Sequence, residues 1–398
     1  MAETLANEQY IFSGTKKLRC GFTTGTCAAL ASQAAVESLL SGYMPKTVSL
    51  RTPKGWLVRA KVIAENGVPP AQNGGVFRCG IQKDAGDDPD VTDGCHVFAT
   101  AELIPAERID VGAAVTTATD TPDAAGVCVT IDGGKGVGRV TKAGLDQPIG
   151  EAAINRVPRQ MIAAAVRDVC EMYGFLGEAR ITIDIPEGER LANQTFNPQL
   201  GIEGGISVIG TSGVVEPMSE QALLDALEAE IRVIAASYAE KTSRPLVITP
   251  GNYGKDFVTR YPELEKIPVL KCANFIGNAL DLAAAYGFTH VTLVGHAGKF
   301  VKLAGGIMNT HSRVADCRME LISAYAALCG AEKPILVRIM DCATVDAALT
   351  VLDEIALTEK TMQTLMDAAK KHVARRVNGA YSFSLIMFTN ERGVIGTV

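Results

Sequence analysis

The spacing of apolar positions changes character near the middle of the chain. In the first half it has the two-residue period of half-buried strands, which predicts strands at 47–51, 56–63, 76–82, 95–103, 127–131 and 181–185. Thr52-Pro53-Lys54-Gly55 closes the first two into a hairpin. A helix is expected over 27–40, where Thr23, Thr24 and Thr26 stand as capping residues before an alanine-rich run and Gly42 ends it. A second is expected over 158–173, with Pro158 near its first turn and Gly174 past its end. Runs of strands with few helices predict an α+β domain with a mostly antiparallel sheet over 1–195.

From 196 onward strand and helix alternate. Strands are expected at 206–209, 246–249, 269–272, 291–294 and 334–339. Helices are expected at 219–236, through residue 286, at 314–328 and at 361–377, and a closing hairpin turns at Asn390 to Gly393. Leu223, Leu227, Ile231 and Ile234 make one stripe; Met362, Leu365, Met366, Ala369 and Val373 make another. The alternation predicts a Rossmann-like, doubly wound parallel sheet over 196–398, so the fold class is α/β joined to α+β in two domains.

In such sheets ligands bind beyond the carboxyl ends of the strands. Three expected strands end in small, polar loops there: Gly210, Thr211, Ser212 and Gly213; Thr249, Gly251 and Asn252; and the loop that opens at Gly295. That last loop, within VTLVGHAGKFVKLAGGIMNTHS at 291–312, holds His296, Lys299, Lys302, Asn309 and His311. If the sheet is parallel, all three loops share one edge, with room for a nucleoside-type cofactor; ordinary βα turns have the same composition. GxGxxG is absent from these loops and no acidic residue closes the second strand, which lowers the case for nicotinamide. Thr23, Thr24, Gly25 and Thr26, with Arg19 nearby, could hold a carboxylate at a helix start, or could only cap the helix. The acidic stretch KDAGDDPDVTDG at 83–94 reads as a solvated loop or as a source of a general base or hard-cation ligands.

Composition changes this picture little. The 398 residues, 47% apolar and 21% charged, allow two cores. No apolar run approaches a membrane span and the first residues lack a secretory signal, so a cytoplasmic protein is expected. A net charge of −6 without a Lys/Arg run argues against nucleic acid. The ten cysteines show no zinc spacing and are expected as free thiols; only Cys27, at a helix start, is a candidate for acidification.

Six stretches then occur in one order: TTGTCAALASQAA at 23–35, KDAGDDPDVT at 83–92, GKGVGRVTKAGL at 134–145, EAAINRVP at 151–158, ISVIGTSGVVEPMS at 206–219 and GHAGKFVKLAGGIMNTHS at 295–312. With them the chain closely resembles the cobalt-precorrin-5B C-1-methyltransferase family of anaerobic cobalamin synthesis, over nearly its whole length. Ser32-Gln33 and Arg156 depart from the family pattern without touching the glycine loops. The resemblance implies methyl transfer from S-adenosylmethionine to C-1 of a cobalt-containing, polycarboxylate corrin precursor, giving cobalt-precorrin-6A. The expected roles are His296 or Asp88 for proton handling, and Gly210, Thr211, Ser212, Gly213, Thr249, Gly251, Asn252 and Gly295 for the cofactor. Arg19, Thr23, Thr24, Gly25, Thr26, Lys299, Lys302, Asn309 and His311 are expected to contact substrate. The cobalt belongs to the substrate, and no protein metal site is expected. The N-terminal domain is expected to contact the corrin and the C-terminal domain the cofactor. The sequence leaves room for a homo-oligomer. The rivals are a nicotinamide-dependent reductase of corrin precursors and a corrinoid carrier without catalysis.

Overall fold

The computed structural model of the chain describes residues 8–64, 75–108, 126–238 and 241–398. It divides into two compact units, Met1–Glu220 and Gln221–Val398. The break falls after Glu220, not at 195/196, because the following segment is stitched into the N-terminal unit. There Ile202–Glu203 pairs with Arg139–Val140, Gly205–Ile206 with Gly136–Val137, and Val214–Val215 with Gly21–Phe22.

In the N-terminal unit, α1 (Thr24–Ser41) packs on α2 (Arg156–Tyr173) and on a five-stranded sheet. A hairpin of β1 (Thr47–Arg51) and β2 (Leu57–Lys61) pairs separately. The sheet runs Ile63–Ala64, β3 (Gly75–Gln82), β4 (His96–Pro105), β6 (Gly177–Asp184), β5 (Val127–Gly133); β5 is parallel to β6 and the other pairs are antiparallel. Alternate residues, Cys79 and Ile81, Val97 and Ala99, Ile181 and Ile183, enter the core. Helix α1 is buried on nearly every side, so its sequence is uniformly small and apolar rather than striped. Its buried Ser32 and Ser38 return their hydroxyls to Ala28 O and Ala34 O one turn back. The glycine-rich 134–138 stretch makes a close backbone approach: Gly136 has φ 74, and a Cβ there would overlap the carbonyl of Ile185.

The C-terminal unit holds α3 (Glu220–Ala236) and a sheet ordered β8 (Val269–Lys271), β7 (Pro245–Thr249), β9 (His290–His296), β10 (Ser382–Thr389), β11 (Gly393–Thr397). Its first four strands are parallel and β11 closes the edge antiparallel. Leu246, Ile248, Val291, Leu293, Leu385 and Met387 face one large cluster with α3, α5 (Ile276–Ala285) and α9 (Thr358–Val377). The alternate residues Val247, Val294 and Phe388 face a second cluster with α4 (Asn252–Val258) and the turn Pro262–Glu265. Burial on both faces explains the continuous apolar runs, each buried side chain contributing about 1.5–3 kcal/mol.

Two expected strands are not part of this sheet. Segment 206–209 lies in the N-terminal unit, where Gly205–Ile206 pairs with Gly136–Val137 and Val208 bridges to Ile154. Residues 334–339 are helical: α7 (Lys333–Met340) follows α6 (Arg318–Leu328) and precedes α8 (Val345–Asp353). Pro334 sits in the first turn of α7, and Ile335, Leu336 and Ile339 make a helical stripe against the core, a spacing that a short apolar run does not separate from a strand.

Candidate active site

The expectation that three glycine loops share one sheet edge fails for the first loop. Gly210, Thr211, Ser212 and Gly213 follow no strand of the C-terminal sheet and instead cover the start of α1. Thr26 Oγ1 donates to Gly213 O at 2.6 Å, and the Gly25 and Thr23 N–H groups donate to Ile209 O and Gly213 O. Thr24 Oγ1 accepts from Ile209 N at 3.1 Å, and Thr23 Oγ1 accepts from Thr26 N at 3.2 Å. Gly210 has φ 138, and a Cβ there would overlap Thr23. The turn expected to hold a carboxylate is thus buried and satisfied by protein: it caps α1, with 209–213 in the place of the anion. Arg19 is committed as well. Its guanidinium makes a two-bond pair with Asp84 at 2.7 Å, which holds that carboxyl below the usual carboxylate range. Cys27 is buried and burial pushes its thiol up, the reverse of acidification.

The acidic loop is tied internally. Lys83, 3% exposed, meets Asp90 at 2.5 Å; Asp90 Oδ1 accepts from Thr92 N, and Asp93 from Ala85 N. Burial alone would raise the Asp90 carboxyl, but the Lys83 charge and the hydrogen bonds of Lys83 and Thr92 outweigh it and hold it low. Asp88 Oδ1 accepts from Met218 N at 2.9 Å. Among the described residues, no three or more of His, Cys, Asp and Glu are gathered as metal ligands would be.

The other two loops do lie together, at the carboxyl ends of the adjacent parallel strands β7 and β9. From β7 the chain passes through α4 to β8 on one side, and then crosses to β9 on the other. That reversal is the point where open α/β sheets leave a crevice. Lys299 ties the crevice together: its Nζ donates to Pro250 O after β7 at 3.1 Å and to Ala273 O after β8 at 3.2 Å. Ala273, which accepts that bond, is left-handed at φ 50, a conformation unfavourable for a residue with a Cβ. Burial lowers the Lys299 pKa from its ordinary value. Lys302 is 3% exposed, and its Nζ donates to Thr310 O at 3.0 Å and Ala315 O at 2.8 Å. It pins two turns of the loop together from a buried position.

His296 caps the helical turn Ala297–Phe300, its Nδ1 accepting from Gly298 N at 3.2 Å. An accepting Nδ1 places the neutral ring's proton on Nε2, so at that atom His296 is a hydrogen-bond donor and not a base. Gly295 was expected to admit a cofactor; it admits protein, since a Cβ there would overlap the ring of Phe300. Gly251, at φ 120, is open: a Cβ would meet nothing within 4 Å. Asn252 Oδ1 accepts from Lys271 Nζ at 2.7 Å. Asn309 Oδ1 accepts from His311 N, and the exposed His311 accepts at Nδ1 from Arg313 N. His290, on β9, hydrogen-bonds Ser382 at 2.9 Å.

A cleft of about 370 Å³ opens beside these loops, lined by Asn274, Gly298, Lys299, Lys302, Thr310, His311, Ser312, Asp316 and Arg318. Its size suits a small molecule (roughly 300–1,000 Å³). Sequence reasoning missed Tyr253, 65% exposed, whose ring centre lies 6.0 Å from that of His296. It also missed Asn274, Asp316 and Arg318. The only signal available for Tyr253 was an aromatic residue inside a glycine turn; the others become visible once the strand order is known.

Fold and site define an α/β protein with a cleft beside the carboxyl edge of its C-terminal sheet. The CbiD family profile matches residues 12–217 and the profile of the CbiD C-terminal domain matches 309–398. The chain belongs to the CbiD family. A cobalt-precorrin-5B C(1)-methyltransferase from Ruminiclostridium cellulolyticum is 40% identical over 96% of this chain and 92% of its own length. One of the same name from Thermoanaerobacter sp. is 41% identical over 98% of this chain and 97% of its own. A crystal structure of a cobalamin biosynthesis protein (cbiD) from Archaeoglobus fulgidus is 26% identical, covers 78% of this chain and 88% of that one, and has a TM-score of 0.39. No helix among the described residues is long and apolar enough to cross a membrane.

Proposed function

We propose that this chain methylates C-1 of cobalt-precorrin-5B with S-adenosylmethionine, giving cobalt-precorrin-6A in anaerobic cobalamin synthesis. The observation that carries this reading is likeness over nearly the whole chain, at about 40% identity, to relatives bearing that activity in their names. We place the methyl donor at the carboxyl edge of the C-terminal sheet, read as Rossmann-like, and the corrin contacts on the N-terminal unit. The setting is cytoplasmic, with no nucleic-acid partner.

The edge suits such a donor. Gly251 leaves its backbone open to a flat nucleoside, and the exposed Tyr253 ring beside it offers a face to adenine or to a sulfonium cation. Thr249 Oγ1, fully buried at the end of β7, has no partner among the described residues. When bound, S-adenosylmethionine supplies an electrophilic methyl group on a cationic sulfur. The chain's own contribution is then mostly positioning, by loops that Lys299 holds in register. His296 holds a proton at Nε2 for donation. Asp88, with one carboxylate oxygen still without a partner among the described residues, is the base on the N-terminal unit.

Incubation with cobalt-precorrin-5B and S-adenosylmethionine bearing a trideuterated methyl group tests the reading by mass spectrometry. The expected product carries the label at C-1. Reduction dependent on NADPH without label would favour the reductase, and tight corrin binding without any product would favour the carrier.

A further inference from the structure

We propose that Lys299 and Lys302 together form a receptor for one carboxylate group in the cleft after β9. An ammonium has three N–H donors. Lys302 gives two of them to Thr310 O and Ala315 O; its next acceptor, Asp316 Oδ1, stands at 3.9 Å and is itself held by Arg318 at 2.6 Å. Lys299 gives two to Pro250 O and Ala273 O and has no third partner among the described residues. Both lysines line the same cleft.

Backbone carbonyls orient these ammoniums without neutralising them, and the one carboxylate near Lys302, Asp316, is already paired with Arg318. Two ammoniums therefore line one space with one donor each to offer, beside the Arg318–Asp316 pair, and the Lys302 charge adds to the burial that already lowers the Lys299 pKa. Lys302 is too enclosed for bulk water to serve it freely. A carboxylate answers both conditions: it has two acceptor oxygens for two donors, and one negative charge. A larger, more highly charged anion would meet Asp316, which also lines the cleft.

The identity of the molecule rests on the methyltransferase reading, which offers two sources: the amino-acid end of the methyl donor, and an acid side chain of the corrin. The experiment is isothermal titration of wild type, Lys299→Met and Lys302→Met with S-adenosylhomocysteine, with methylthioadenosine, which lacks the amino-acid end, and with a polycarboxylate corrin and its fully esterified form. Circular dichroism establishes which variants fold. Lys302→Arg keeps the charge, and Lys299, which is less buried than Lys302, decides the matter if Lys302→Met does not fold.

If the donor supplies the carboxylate, the Met variants weaken S-adenosylhomocysteine about 10- to 100-fold and leave methylthioadenosine within twofold. If the corrin supplies it, S-adenosylhomocysteine is unchanged, while the acid corrin weakens by a similar factor and the ester does not. Folded variants that keep every affinity within twofold overturn the receptor. A wild type that binds neither sulfur compound defeats the donor-site reading instead, and the corrin pair then decides the receptor alone.

Discussion

The turn before α1 and the loop after β9 look alike in sequence: small residues, hydroxyls, glycines and nearby basic groups. In the folded chain they are opposites. At the start of α1 the Thr24 and Thr26 hydroxyls and the Thr23 and Gly25 N–H groups meet the 209–213 segment, and Arg19 is closed on Asp84. After β9, Lys299 and Lys302 join loops through backbone carbonyls and still line an open cleft. Glycine-rich spelling marks where backbones must approach something closely. It does not say whether that something is protein or ligand; only a count of donors and acceptors in the fold does.

The difference is open to test, and the largest effect is expected at Gly210. Gly210→Ala forces a Cβ into Thr23 at φ 138, so a loss of about 3 kcal/mol or more is expected in denaturant unfolding, with the S-adenosylhomocysteine affinity of the folded fraction unchanged. A folded Ala variant with abolished binding would move the cofactor site to this turn. Next is Asp90→Asn, which leaves the buried Lys83 charge uncompensated, at a cost of about 3 kcal/mol near neutral pH. The sign with pH follows from the lowered folded pKa of Asp90: the ionised form stabilises the fold above the unfolded value of about 4, and that stability is lost as pH falls below it. Melting curves of wild type and variant should therefore converge in acid; a constant gap would deny the pair its role. Thr26→Val removes the bond to Gly213 O and should cost about 1–2 kcal/mol in stability alone. Smallest is Tyr253→Ala, with melting unchanged because the ring is exposed, but nucleoside affinity weakened several-fold, roughly the 0.5–1.5 kcal/mol of an aromatic contact.

Much of the fold was legible because its signals are local. Thr23 and Gly42 bracket α1, Gly174 ends α2, and alternation along β3 and β4 matches the buried face. The carboxyl edge of the C-terminal sheet followed from strand–helix alternation, and two of its three expected loops are there. What was not legible depends on distant partners. The 206–209 run is apolar enough for a strand, yet Ile154 and Val137 claim it for the other unit. Pro334 to Ile339 is short, and its helical stripe is decided by the core it meets. The carbonyls that orient Lys299 belong to Pro250 and Ala273, loops whose nearness depends on strand order. Nothing in the sequence announces the ring of Phe300 against Gly295, so the glycine reads as a ligand position.

The most direct test of where the methyl donor binds is backbone hydrogen exchange with and without saturating S-adenosylhomocysteine. The account predicts new protection over 249–254, at Ala273 and Asn274, and over 296–312, with Thr23 to Thr26 and Gly210 to Gly213 unchanged. Protection confined to the turn before α1 and the 209–213 segment, with the β7 and β9 loops exchanging as before, would contradict it.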